Sequence, residues 1–263
     1  MKRLLSALTV LLCVLLFLMV TNSRPTALPQ YIMHAGGITP DGIAGSNSVE
    51  AMDHSYAQGY HWLEIDFNWT SDGHLACVHD WDAFYSANLT GLPAPDLELY
   101  EKLRKYTYGY ENHSLESLVA WMENHPQAVI VTDVKEENLR AAEEISRYES
   151  LRDRFVIQIY DTGEYETVVS HGFERLIFTF YKIPPGKPAL TQLAQISNKM
   201  EKIIAVTIPA QGEYAELTDM ARELEIPYYV HTVNDPQLQQ QWISEGAQGV
   251  YCDVAPQDVT DPQ

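Results

Sequence analysis

The chain has 263 residues, enough for one large domain or one α/β barrel once an apolar N-terminus is set aside. Hydrophobic residues make up 46% and charged residues 20%, which excludes a disordered or fibrous chain. A formal net charge of −19 disfavours nucleic acid and anionic membrane surfaces as partners and suits a protein that holds a divalent cation, although most of these carboxylates are accounted for by a solvated surface.

Lys2 and Arg3 precede an uncharged apolar run, 4–20, that reads as an export signal. The run is intermediate in length between a signal-peptide core and a spanning helix, and no small-x-small cleavage site follows it. Residues 1–23 are therefore read as a signal anchor or signal peptide, with the balance towards an uncleaved anchor. The basic flank would hold the remainder outside the cytoplasm, either membrane-anchored or secreted. Cys13 lies inside the run. Cys77 and Cys252 are left in the exported part, where a disulfide is possible but two cysteines make no framework, and buried thiols fit as well. Residues 24–30 form a short Pro-containing linker, and 31–263 read as one domain, expected to be a monomer.

Apolar, β-branched runs at 31–34, 62–67, 128–134, 155–160, 176–181, 203–208, 228–233 and 249–252 predict eight strands. Amphipathic stretches at 48–58, 115–123, 139–148, 189–202, 214–224 and 236–244 predict helices between them. Strand and helix in alternation, with short connections, predict a parallel sheet covered by helices; eight units in this length favour a closed (β/α)8 TIM barrel over an open doubly wound sheet. No strand is followed by the GxGxxG that a Rossmann-type alternative would carry. The turn residues 70–73 and the extended run 75–78 predict a small hairpin inserted after the second strand. The Pro-, Gly- and Tyr-rich stretch 88–110 reads as a long loop over the barrel mouth.

Barrel enzymes carry their reactive groups at the C-terminal ends of the strands. His34 closes the first run and is followed by Gly36 and Gly37, whose backbone N–H groups could approach an anion. Glu64 and Asp66 are two residues apart, so the pleat points both carboxylates one way, and Asp133 and Lys135 repeat the spacing. Burying Glu64, Asp66 and Asp133 together would cost several kcal/mol unless a cation joined them. Oxygen donors alone suit Ca²⁺ or Mg²⁺ better than zinc. His79 and Asp80 end the hairpin run, so two histidines stand at neighbouring strand ends, where they can serve as general acid and base. His54, His61, His74, His113, His125 and His171 are assigned structural roles; His231 could face the mouth or pack against Tyr229 or Trp242.

His34-Ala35-Gly36-Gly37, Asn47-Ser48-Val49-Glu50-Ala51, Glu64-Ile65-Asp66, Thr70-Ser71-Asp72-Gly73 and His79-Asp80 resemble, in order and spacing, the signature of the glycerophosphodiester phosphodiesterases. Asp133-Val134-Lys135, Gln158-Ile159-Tyr160, His231-Thr232-Val233-Asn234 and Gly249-Val250-Tyr251-Cys252-Asp253 resemble that family's later strands. The resemblance implies His34 and His79 as the acid/base pair, Glu64, Asp66 and Asp133 as ligands of a divalent metal, and Lys135 facing the phosphate. Gly36, Gly37, Gln158, Tyr160 and His231 are the expected substrate-binding residues. It implies attack on phosphorus by a hydroxyl of the substrate's own glycerol, followed by opening of the cyclic phosphate by water. The chain departs from the family pattern in three places: Ala35 stands where an Arg is usual, Asp133 where Glu is common, and His231 where Trp is frequent. Two other readings stay open. One is a phospholipase D-like enzyme on the same barrel acting on lipid or a cell-surface polymer; the other is an inactive barrel that binds phosphorylated ligands or a surface partner.

Overall fold

Among the described residues, nine strands form one ring and one hairpin arm. They are β1 (Tyr31–Met33), β2 (Trp62–Trp69), β3 (Leu75–Ala76), β4 (Val129–Val134), β5 (Phe155–Ile159), β6 (Leu176–Thr179), β7 (Ile203–Pro209), β8 (Tyr228–His231) and β9 (Gly249–Cys252). The computed structural model describes residues 27–85, 91–105, 109–212 and 214–256; the apolar run 4–20, Cys13 and the export-signal reading lie outside the described residues. The parallel order β1-β9-β8-β7-β6-β5-β4-β2 closes on itself because Met33 of β1 also pairs with Leu63 of β2. The result is an eight-stranded (β/α)8 barrel, and β3 adds to it only as an antiparallel partner of the distal end of β2.

Each strand divides its side chains between two cores, because successive residues face opposite ways. Leu63, Ile65 and Phe67 of β2, Ile130 of β4 and Ile157 of β5 point outward and pack in the main core under the helices. Their neighbours Trp62, Val129, Val131 and Val156 point inward and, with Ile32, Ile177, Ala205, Tyr229 and Tyr251, form a separate apolar plug inside the ring. At about 25 cal/mol per Å² of apolar surface, these two buried sets are the main force that holds the barrel closed.

The surrounding helices start where side-chain oxygens can take the free N–H groups of the first turn. Ser48 caps α1 (Val49–Ala57), accepting from Ala51 N at 3.2 Å. Helices α2 (Trp81–Tyr85) and α3 (Leu97–Leu103) lie in the insertion after β3, with Asp96 capping α3. Ser114 caps α4 (Leu115–Asn124), and Asp235 caps α9 (Pro236–Ser244), which has Pro in its first turn. Each such cap stabilises its helix by about 1 kcal/mol. Between them run α5 (Asn138–Ser146), α6 (Tyr165–Ser170), α7 (Lys187–Lys199) and α8 (Ala215–Glu223). No helix among the described residues is long and apolar enough to cross a membrane.

The structure corrects the sequence reading in the insertion. The stretch 88–110 contains a helix, α3, where an irregular loop was expected. Its Tyr100 is fully buried and packs on Phe84 of α2 at 5.3 Å between ring centroids, above Ala76 and Val78. This satellite core gives the insertion a shape of its own. Helix α6 was also not anticipated, and Cys77 and Cys252 are buried free thiols.

Candidate active site

The inward rows that make the plug continue upward into the barrel mouth, and there they turn polar. Two residues beyond Ile32 comes His34; beyond Trp62 come Glu64 and then Asp66; beyond Val131 comes Asp133; beyond Tyr229 comes His231; beyond Tyr251 comes Asp253. Strand pairing sets Asp66 directly beside Asp133 on the adjoining strand. Glu64, Asp66 and Asp133 each offer an oxygen within 4.8 Å of the other two.

Each carboxylate is held. The Ala35 N–H donates to Glu64 Oε2 at 2.8 Å. Asn47 donates to Asp66 Oδ2 at 2.7 Å while its own Oδ1 accepts from the Asp66 N–H at 2.9 Å. Lys135 Nζ lies 2.5 Å from Asp66 Oδ1 and 2.8 Å from Asp133 Oδ2, and the Tyr160 hydroxyl donates to the other Asp133 oxygen. Burial, reinforced by the Asp66 charge, pushes the Glu64 carboxyl well above the usual carboxylate range. Burial acts the same way on Asp133, but the Lys135 charge and the hydrogen bonds from Lys135 and Tyr160 outweigh it and hold that group low. Lys135 pairs with Asp66 and Asp133 and leaves Glu64 without an ammonium partner among the described residues. The remaining negative charge and the all-oxygen donor set fit a hard divalent cation, with Glu64, Asp66 and Asp133 able to hold it.

Two histidines meet at the centre of the mouth. His34 Nδ1 is 2.7 Å from Asp253 Oδ1, and Asp253 is itself fixed by Asn234, which donates to Oδ2 at 2.5 Å and accepts from the Asp253 N–H at 2.8 Å. Burial lowers the proton affinity of His34, but the Asp253 hydrogen bond and the Glu64, Asp253 and Asp66 charges outweigh it and bring its pKa up to about 9. His231 stands edge-on to His34 at 5.0 Å between ring centroids, with Tyr181 at 4.9 Å and Tyr251 at 5.1 Å. Burial, then repulsion from His34, pushes it down to about 3. One ring is therefore charged and its neighbour neutral. Of the two placements open for His231, the mouth is the observed one.

His79 stands apart from this cluster. Its side chain is 59% exposed and its Nδ1 lies 3.0 Å from Asp80 Oδ2. Its backbone oxygen accepts from Asn68 at 3.4 Å, and Asn68 follows Asp66 by two residues on the same face of β2. His79 thus sits on the rim above Asp66, within the same end of the barrel, without touching His34 or the carboxylates.

The other expected binding residues divide. Tyr160 and His231 face the mouth, as described. Gln158 is buried one step lower, where its Oε1 accepts from the Tyr251 hydroxyl at 3.1 Å and its Nε2 has no partner. Gly36 and Gly37 adopt φ of 81° and 95°, and a Cβ on Gly37 would meet Ser55 Oγ of α1 at 2.3 Å. Gly37 N–H is taken by His34 O at 2.8 Å, so it is not free for an anion, and both glycines let the turn pack closely on α1. Sequence reasoning gave no role to Asp253, Asn47 or Tyr181. Asp253 and Tyr181 were reachable by extending the inward rows of β9 and β6 by one more step, whereas the contact of Asn47 with Asp66 spans 19 residues and leaves no local signal.

The glycerophosphoryl diester phosphodiesterase family model matches residues 35–255. No curated protein matches the chain. Among solved structures, a glycerophosphoryl diester phosphodiesterase from Parabacteroides distasonis is 15% identical, with 88% of this chain and 84% of that one covered at a TM-score of 0.67. A glycerophosphodiester phosphodiesterase from Thermotoga maritima is 20% identical over 86% of this chain and 95% of that one, at 0.63. A phosphodiesterase from Oleispira antarctica, solved with its product sn-glycerol-3-phosphate, is 17% identical over 86% and 93%, at 0.62. These likenesses carry the fold, while the family match covers most of the chain and includes every strand of the barrel except β1, which ends just before it. The chain belongs to the glycerophosphoryl diester phosphodiesterase family, and is a phosphoric diester hydrolase.

Proposed function

We propose that this protein hydrolyses glycerophosphodiesters, or related lipid or cell-surface phosphodiesters, with a divalent cation held by Glu64, Asp66 and Asp133 and with His34 and His79 moving protons. The observation that carries the reading is the meeting of three carboxylates and Lys135 beside an Asp253-held histidine. A hard cation at this cluster would neutralise charge on the phosphoryl oxygens. Lys135 Nζ adds a second positive centre at the same point. His34, oriented through Nδ1, presents Nε2 to the attacking glycerol hydroxyl and accepts its proton. With Glu64 and Asp66 charge-balanced, two of the charges that raise the proton affinity of His34 would be offset, while the Asp253 hydrogen bond would continue to hold the ring. His79, exposed on the rim, would return a proton to the departing oxygen. Water then opens the cyclic phosphate. That the Oleispira antarctica phosphodiesterase holds sn-glycerol-3-phosphate as product supports a glycerol-containing substrate here. The apolar run behind Lys2 and Arg3 would tether the barrel, acting as a monomer, to the outer face of a membrane.

The test is turnover of glycerophosphocholine and of a monoacyl glycerophospholipid by the full-length chain in mild detergent, before and after chelation and after restoring Ca²⁺ or Mg²⁺ separately. Loss of activity with EDTA and its return with one cation are expected. Activity that survives chelation removes the cation from the reading, and failure of both His34→Ala and His79→Ala to reduce turnover removes the proton relay.

A further inference from the structure

On the side of the mouth marked by His79 lies a cavity of about 260 Å³, enclosed between the loop that precedes α1 and the insertion helices. Ile43, Val78, Ala83 and Phe84 give it an apolar surface, and among the described residues no Lys or Arg lines it. Two of its wall residues belong to the reaction centre: Asn47 holds Asp66 at 2.7 Å, and His79 is the rim histidine. The one carboxylate in the lining, Asp80, is already engaged by His79 and by the Ala83 N–H at 2.6 Å. The cavity therefore lacks a counter-charge for an anionic group and has no uncommitted carboxylate to attract a cationic one. Its depth comes from the satellite core, since Val78 and Phe84 are both 4% exposed and rest on Tyr100.

We propose that this cavity is the leaving-group subsite, and that the alcohol it selects is uncharged and apolar, carrying an alkyl or acyl tail of several carbons. The inference rests on the proposed function and names the substrate class for the same site. In the step it serves, the attacking glycerol oxygen forms a new bond to phosphorus and gives its proton to His34, the bond to the leaving oxygen breaks with its electron pair on oxygen, and His79 supplies the proton that makes the free alcohol. An apolar tail seated beside His79 holds that oxygen in line and displaces water from the cavity wall.

The experiment is a series of glycerophospho-n-alkyl diesters from ethyl to octyl, with glycerophosphocholine alongside, assayed on the full-length chain in detergent below its micelle-forming concentration. The expected result is a kcat/KM that climbs with tail length, by up to about fourfold for each methylene buried, and levels off when the cavity is full. Ala83→Phe and, from the facing loop, Ala44→Leu should each pull the octyl-to-ethyl ratio of kcat/KM towards one; both positions are exposed, and circular dichroism checks that the barrel is intact. A flat series, or a preference for the choline diester over octyl, overturns the apolar subsite while the phosphodiesterase reading stands. Ratios unchanged in both folded variants would mean that the tail lies elsewhere and would overturn it as well. No hydrolysis of any diester in the series overturns both readings together.

Discussion

Asp253→Asn changes one atom and tests how much of the chemistry depends on the orientation of His34. The wild-type carboxylate accepts on both sides, from His34 Nδ1 at 2.7 Å and from Asn234 at 2.5 Å. The new amide can accept on one side only. Asn234 cannot turn to compensate, because its own oxygen already accepts the Asp253 N–H at 2.8 Å. Either a donor then faces a donor, at His34 or at Asn234, or the new amide donates to His34 Nδ1 and leaves the proton on Nε2, where it blocks the base; in each case the charge that favours the imidazolium is gone. A hydrogen bond to a charged partner is worth about 1.5–3 kcal/mol, which corresponds to a drop in kcat of about 10- to 100-fold. KM should change little, because Asp253 lies behind the histidine and touches no carboxylate of the cluster. Steady-state kinetics on a soluble glycerophosphodiester, with thermal melts of both proteins, measure this. Unchanged kcat in a variant that melts with the wild type would refute the view that Asp253 positions the base; a rise in KM alone would assign Asp253 to substrate binding.

Lys135→Met leaves Asp66 and Asp133 without their ammonium partner, and removal of one member of a buried ion pair costs about 3–5 kcal/mol. The variant should melt well below wild type in EDTA and recover much of that loss in Ca²⁺ or Mg²⁺; equal deficits in both conditions would show that the cation does not share the cluster with Lys135. Lys182 lies on the rim with Nζ 4.0 Å above the Tyr160 ring and pairs with no carboxylate among the described residues. Lys182→Met should raise KM by about two- to fivefold, the worth of one exposed ion pair, with kcat retained, and Lys182→Arg should restore it; a fall in kcat instead would point to a packing role. His113 is 6% exposed, its Nε2 has no partner, and burial followed by the Arg104 charge takes its pKa down from 6.5 to about 4. Above pH 6.5 neither folded nor unfolded chain protonates it. As pH falls from 6.5 to 4 only the unfolded chain takes up the proton, so stability declines, by about 3 kcal/mol when the window is crossed. Urea titrations of His113→Gln should show a shallower decline over that window, and equal slopes in the two proteins would count against it.

Strand ends were the most legible part of this molecule, for a physical reason. A barrel strand buried on both faces must be apolar until it leaves the ring, so the first polar residues in each run mark the mouth and the period of two assigns them to its inside. That logic located His34, Glu64, Asp66, Asp133 and Lys135, and one more step along β9 and β6 would have added Asp253 and Tyr181. It failed where position depends on contacts that no local pattern encodes. Asn47 reaches Asp66 from a loop with φ of 51°, and α3 forms in a Pro- and Gly-rich stretch because Tyr100 can bury itself against Phe84, Ala76 and Val78. Gly36 and Gly37 carried no signal of the close approach they permit to Met52 and Ser55 of α1, or of the Gly37 N–H being taken by His34 O. His79 shows the same limit from the other side: its motif fixes where it stands in the chain, but its ring is turned to Asp80 and to solvent. The histidine tied to the barrel interior is held by Asp253, which Asn234 fixes in turn, and the one carried by the insertion is held by a neighbour and a backbone contact. A proton donor to the leaving group gains from that difference. Under the proposed function it would follow alcohols of different size as they depart, whereas the base would meet the same glycerol hydroxyl in every cycle.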